Sequence, residues 1–130
     1  MRIFFVLAAA VLCSGAHAGE LDASALRQIF VGQAILWWEP GGWHAGELAL
    51  RPDGSAEIRV HSPSGSYDSG HWRIDGNRIC TTWSHLRGSV LKCYTVQKVG
   101  PNRFLTSGGN VLEVMTAGVL RVYSATVKER

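Results

Sequence analysis

Beyond the first 18 residues, the side chains that could do chemistry are four of the five histidines, two of the three cysteines, scattered serines and carboxylates, and a group of tryptophans. His44, His61, His71 and His85 show no helical metal-binding spacing, and no Cys/His cluster has the spacing of a zinc site. His61 and His71 are expected to be neighbours on adjacent strands, facing solvent. The serines lack a Gly-x-Ser-x-Gly elbow, and no glycine-rich phosphate loop precedes a helix. Glu39, Glu47, Glu57 and Glu113 stand singly, so the carboxylate pair of a glycosidase is not written in the chain. No catalytic residue, metal ligand or cofactor is therefore expected, and the chain does not read as an enzyme.

Cys80 and Cys93 lie too far apart for the usual redox-active pair, which is close in sequence, and read as a structural disulfide. Trp37 and Trp38 are adjacent on a strand, so one points inward and one outward. The outward ring, together with Trp43 on the Pro40–His44 loop, would form an aromatic surface for a ligand or partner unless the N-terminal helix packs across it.

These residues must be positioned by short elements. Leu21 to Val31 is the one helical candidate. Asp22 can cap it, Leu21 can staple onto Leu26, Leu26, Ile29 and Phe30 recur at helical spacing, and Gly32 ends the run. Strands are expected at Gln33–Glu39, Gly46–Arg51, Ala56–His61, Asp68–Asp75, Arg78–Ser84, Ser89–Lys98, Arg103–Thr106, Val111–Thr116 and Val119–Tyr123. Glycine-, proline- and asparagine-rich turns separate them. Strands at such even spacing predict an all-β antiparallel meander that closes into a small barrel of about eight strands or folds into a sandwich.

Register can be read around the Gly76-Asn77 turn. Asp75 should face Arg78, Ile74 face Ile79, Arg73 face Cys80, and Trp72 face Thr81. Trp72, Ile74, Ile79 and Trp83 then share the core face, while His71, Arg73, Asp75, Arg78 and Cys80 face solvent. If Cys93 sits opposite Cys80, Tyr94 faces Ile79, and Lys92 faces Thr81 and points inward. Burying an ammonium is costly, so Lys92 either marks a ligand-binding interior or reaches water from the rim. Leu48, Leu50, Ile58 and Val60 join the core face and suffice to fill a small barrel, which argues against a large cavity.

Composition and the N-terminus bound the compartment. Met1-Arg2, the apolar run Ile3–Leu12 and Ala16-His17-Ala18 read as a signal peptide over residues 1–18. Leu12 disfavours acylation at Cys13. Cleavage leaves 112 of 130 residues as one domain over 19–125, with a frayed tail over 126–130 and no stretch long enough to span a membrane. Of 13 basic residues, Arg2 is removed, and the remainder exceed the 10 acidic ones by only two. The basic residues are scattered, so a nucleic-acid partner is not indicated.

Five segments carry a resemblance. They are Ile29-Phe30-Val31-Gly32, Leu50-Arg51-Pro52-Asp53-Gly54, Gly70-His71-Trp72-Arg73-Ile74, Ile79-Cys80-Thr81-Thr82-Trp83 and Cys93-Tyr94-Thr95-Val96. This order resembles small secreted bacterial proteins of the domain-of-unknown-function family numbered 995 and its lipocalin-like relatives. The resemblance implies a lipocalin-like periplasmic β-barrel with one short N-terminal helix. It carries no known activity and assigns no catalytic residue.

The expectation is a periplasmic or secreted non-enzymatic binding protein. Its candidate surface is Trp37, Trp38, Trp43 and Lys92, taking a small apolar or amphipathic ligand at the barrel mouth. The alternative is a module that docks a periplasmic protein, for instance as a protease inhibitor. A hydrolase ranks last.

Overall fold

The computed structural model describes residues 19–41, 44–61 and 65–115. The leader expected over 1–18 with Cys13, Trp43, the strand expected at Val119–Tyr123 and the tail over 126–130 lie outside them.

Among the described residues one helix, α1 (Ala23–Phe30), is followed by nine strands: β1 (Ala34–Trp38), β2 (Ala45–Leu50), β3 (Ser55–Val60), β4 (Ser66–Asp75), β5 (Arg78–Trp83), β6 (Lys92–Tyr94), β7 (Val96–Gly100), β8 (Arg103–Thr106) and β9 (Val111–Val114). They form one antiparallel sheet in the order β6-β5-β4-β3-β2-β1-β9-β8-β7, curled into a nearly closed barrel. The sheet's two edge strands, β6 and β7, are consecutive in the chain and separated only by Thr95. They act as one bent strand whose first half pairs with β5 and whose second half pairs with β8, so the edges must meet at Thr95. This explains why nine strands are found and not about eight. The single strand expected at Ser89–Lys98 is split where it changes partner. Its start moves to Lys92 because Arg87, Gly88 and Ser89 adopt left-handed backbone angles in a 3-10 turn.

The β4–β5 hairpin has the predicted register, Trp72 opposite Thr81 and Asp75 opposite Arg78, with Gly76 at φ +59° in the turn. Cys93 stands opposite Cys80, and the two are disulfide-bonded. Cys80, expected to face solvent, is instead fully buried. A small side chain tied to Cys93 on one side and flanked by Arg73 on the other leaves no surface for water.

Burial alternates along β1, β2 and β8, and the inward strand residues that make the core are Ile35, Trp37, Leu48, Leu50, Ala56, Ile58, Trp72, Ile79, Trp83, Val96, Phe104 and Leu112. The helix begins where Asp22 accepts a hydrogen bond from the Ala25 amide at 2.8 Å. It buries Leu26 and Phe30; Phe30 meets Phe104 edge-on with ring centroids 4.9 Å apart, and Arg27 lies over Trp72. Phe104 and Trp72 point into the barrel, so a helix that reaches them must close an open end. The opposite end carries the β1–β2, β3–β4, β5–β6 and β8–β9 connections.

Candidate functional site

At that opposite end the inward side chains leave a cavity of about 30 Å³, open to solvent. It forms where bulky rings stand across from glycines. Trp37 on β1 faces Gly46 on β2, and Trp83 on β5 faces Gly70 on β4. A Cβ on Gly46 would collide with the Arg59 carbonyl oxygen, and one on Gly70 with that of Thr82. Both glycines are thus required by close backbone approach, and both leave room for an indole.

The walls are part apolar, from Leu48, Ile58, Leu112 and the two indoles, and part polar. Trp37 is 7% exposed, and its Nε1–H is buried with no acceptor. By contrast, the Nε1 of Trp72, towards the helix end, donates to the Arg51 carbonyl at 2.7 Å. An orphaned buried N–H costs about 1–3 kcal/mol. Tyr94, Thr81, Thr106, Asn110 and Arg87 supply the polar groups of the wall. Burial pushes the Tyr94 hydroxyl up to about 12, with Arg87 partly offsetting it, so it remains a neutral O–H donor at physiological pH.

Arg87 reaches the cavity from the 3-10 turn Leu86–Ser89, where it holds φ +54° and Ser89 holds φ +58°. Such angles are uncommon for residues with a side chain and must be stabilised by their surroundings. Asp68 supplies that support. Only 4% exposed, its carboxylate accepts from the backbone N–H of Leu86 at 2.9 Å, His85 at 2.8 Å and Ser69 at 2.8 Å, and from the Ser84 hydroxyl. These donors, the Leu86 amide foremost, hold its pKa well below the usual carboxylate range. The Ser89 hydroxyl closes the turn by donating to the Ser84 carbonyl at 2.6 Å.

Of the residues singled out in the sequence, Trp37 lines the cavity. Trp38 points outward beneath Arg103, whose guanidinium lies 5.3 Å from the ring. Lys92 stands opposite Thr81 as expected, but it is exposed and not among the cavity walls. Trp43 is outside the described residues. His61 and His71 are not neighbours. His71 pairs with Ser55 at one end of β3, while His61 follows the other end, roughly 20 Å away at strand rise. Among the described residues no group of three His, Cys, Asp or Glu side chains could hold a metal ion, and no helix is long and apolar enough to cross a membrane.

Sequence reasoning missed Asp68, Arg87, Thr106 and Asn110. Counting inward by twos from Trp72 through Gly70 reaches Asp68, so its burial was legible. The left-handed turn that delivers Arg87 had no such signal.

A larger groove of about 200 Å³ crosses the outer face of β1–β3 between Ala34, Ala49, Glu57 and Arg59. Two of its charged groups, Glu57 and Arg59, are already engaged. Glu57 pairs with Arg51 at 2.6 Å and accepts from the Tyr67 hydroxyl at 2.8 Å, and Arg59 stacks on Tyr67. Compared with protein families, with characterised proteins and with solved structures, the chain finds no match in any of the three.

Proposed function

We propose that this is a non-enzymatic binding protein, exported to the periplasm or beyond, that takes a small amphipathic ligand at the open end of its barrel. The observation that carries this reading is a solvent-open cavity at the end of the barrel, walled by aromatic rings and with a cation, Arg87, among its lining residues. Three aromatic rings, Trp37, Trp83 and Tyr94, surround the space, while Trp38 is covered by Arg103 and offers no bare outer patch. That contrast favours a ligand over a protein partner docked on tryptophan. The disulfide fits an oxidising compartment, as do the N-terminal signal-peptide pattern and the resemblance to secreted barrels.

The cavity limits what enters. About 30 Å³ takes a group of two or three non-hydrogen atoms, so the remainder of the ligand lies at the mouth. The test is titration of the full chain with hexanol and with hexanoate, followed by tryptophan fluorescence. Saturable one-to-one binding of at least one probe, weakened several-fold in Trp37→Phe, is expected. Absence of saturation with both probes removes the reading.

A further inference from the structure

We infer that the outer groove over β1–β3 is the seat of the chain's own segment 116–125, which folds back after β9 and covers Met115.

Met115 is only 6% exposed, yet it is no member of the core cluster. Register explains why. Along β9, Leu112 and Val114 face the core, and Glu113 between them pairs with Arg103 on the outer side. Met115 continues the ladder, its amide donating to the Ala34 carbonyl at 2.9 Å, so its side chain falls on the same outer face as Glu113. There it lines the groove with Ala34, Ala49, Glu47, Glu57 and Arg59. The outer face of an antiparallel sheet is ordinarily wet. Met115 is buried on that face at the point where the described residues end.

The groove suits an apolar strap. Ala34 and Ala49 face each other across β1 and β2, and two methyl groups side by side leave the hollow of about 200 Å³. Leu36 stands outward on the same strand as Ala34, opposite Glu47. Among the described residues the ion pairs join His44 to Glu39, Arg51 to Glu57, Arg78 to Asp75 and Arg103 to Glu113, and none involves Glu47.

The segment that follows Met115 has the matching composition. Ala117-Gly118 supplies a turn. Val119, Leu120, Val122 and Tyr123 supply apolar surface, and Arg121 in their midst carries the charge that suits Glu47. Reach is ample. From β1 to β3 is two strand spacings, roughly 10 Å, and residues 119–125 extend over about 20 Å. No strand edge beside β9 is open to this run, because β9 pairs with both β1 and β8, and β1 with both β9 and β2. It therefore lies on the face of the sheet and adds no strand to the barrel. The N-terminal segment is worse placed, since Gly19 meets the barrel beside β7, on the far side of β9 and β8 from the groove.

The experiment follows oxidation of Met115 by hydrogen peroxide in the full chain, read as sulfoxide by peptide mass spectrometry. In wild type, Met115 should react roughly tenfold or more slowly than free methionine, at a rate independent of protein concentration. Leu120→Asp combined with Val122→Asp should speed the reaction roughly tenfold, because a carboxylate is not accommodated on a floor of alanines. Arg121→Glu and Glu47→Arg should each speed it about twofold to fivefold, and the two together should restore the wild-type rate. A second measurement needs none of these variants. Mild oxidation of Ala49→Cys combined with Val122→Cys should join the two positions within one chain, seen by intact mass. A Met115 rate unchanged by the aspartate pair overturns the inference. Failure of the charge swap to restore protection overturns the pairing given to Arg121. Protection that fades on dilution assigns the groove to a second copy, and a bond from position 49 to Cys13 assigns it to the N-terminal segment; either result overturns the inference.

Discussion

Trp37 on β1 stands directly opposite Gly46 on β2, and its indole nitrogen lies 3.0 Å from where a Cβ on residue 46 would be. The pair shows how this barrel fits an indole against closely spaced strands. The glycine lets β3 approach closely, and the tryptophan covers the gap it leaves. Trp83 and Gly70 repeat the arrangement across β5 and β4.

The first prediction follows from that pair. In Gly46→Ala the new methyl group meets the Arg59 carbonyl oxygen, which is backbone and cannot rotate away. Overpacking of this kind should cost about 2 kcal/mol or more in urea melts. An unchanged midpoint would show that β2 and β3 are not in the described register.

Much of this geometry was legible in the sequence, for a physical reason. The Gly76-Asn77 turn and period-two alternation fix the register of β4, β5 and β6, so Trp72, Ile79 and the Cys80–Cys93 pairing could be placed without coordinates. Long-range features were not legible. Thr95 looks like any strand residue, and its kink exists because the chain exchanges β5 for β8 as its neighbour. Arg87 looks like any loop residue, and its direction depends on a left-handed turn held by a carboxylate some twenty residues earlier, through hydrogen bonds that pattern does not reveal.

Asp68 gives a pH prediction. Its carboxylate titrates lower in the folded chain than its ordinary value of 3.8, because four donors stabilise the charged form. A depressed folded value means stability that is complete above pH 3.8 and lost as pH falls towards the folded value. Asp68→Asn should be less stable than wild type at neutral pH, and thermal melts should show the gap narrowing below pH 3.8. A gap that stays constant down to acid unfolding would contradict this assignment.

Tyr94 gives the opposite sign at the other end of the scale. Its value rises from 10 to about 12 on folding because burial disfavours the phenolate. The stabilisation is therefore complete below pH 10 and lost as pH rises towards 12. Denaturant melts across that range should show wild type losing stability while Tyr94→Phe, which cannot ionise, loses less. Equal losses in the two proteins would place the hydroxyl in water and not in the cavity wall.

The disulfide ties β5 to β6 just before the strand that closes the barrel changes partner. Replacing both Cys80 and Cys93 with alanine should lower stability by about 2–5 kcal/mol, as for native disulfides of small secreted domains. Free thiols detected by intact mass in protein prepared without reductant would refute the bond.

The central claim is that the open end of the barrel, beside Trp37, Trp83 and Tyr94, takes a small amphipathic ligand. The most direct measurement is a ¹⁵N–¹H correlation spectrum of the tryptophan indoles during titration with hexanoate, with the Trp37 signal assigned from its loss in Trp37→Phe. The account predicts that the Trp37 indole signal shifts and saturates as the ligand fills the space beside its ring, while the Trp38 and Trp72 signals stay in place. A Trp37 signal that does not move at saturating hexanoate, or a larger shift at Trp38, would contradict it.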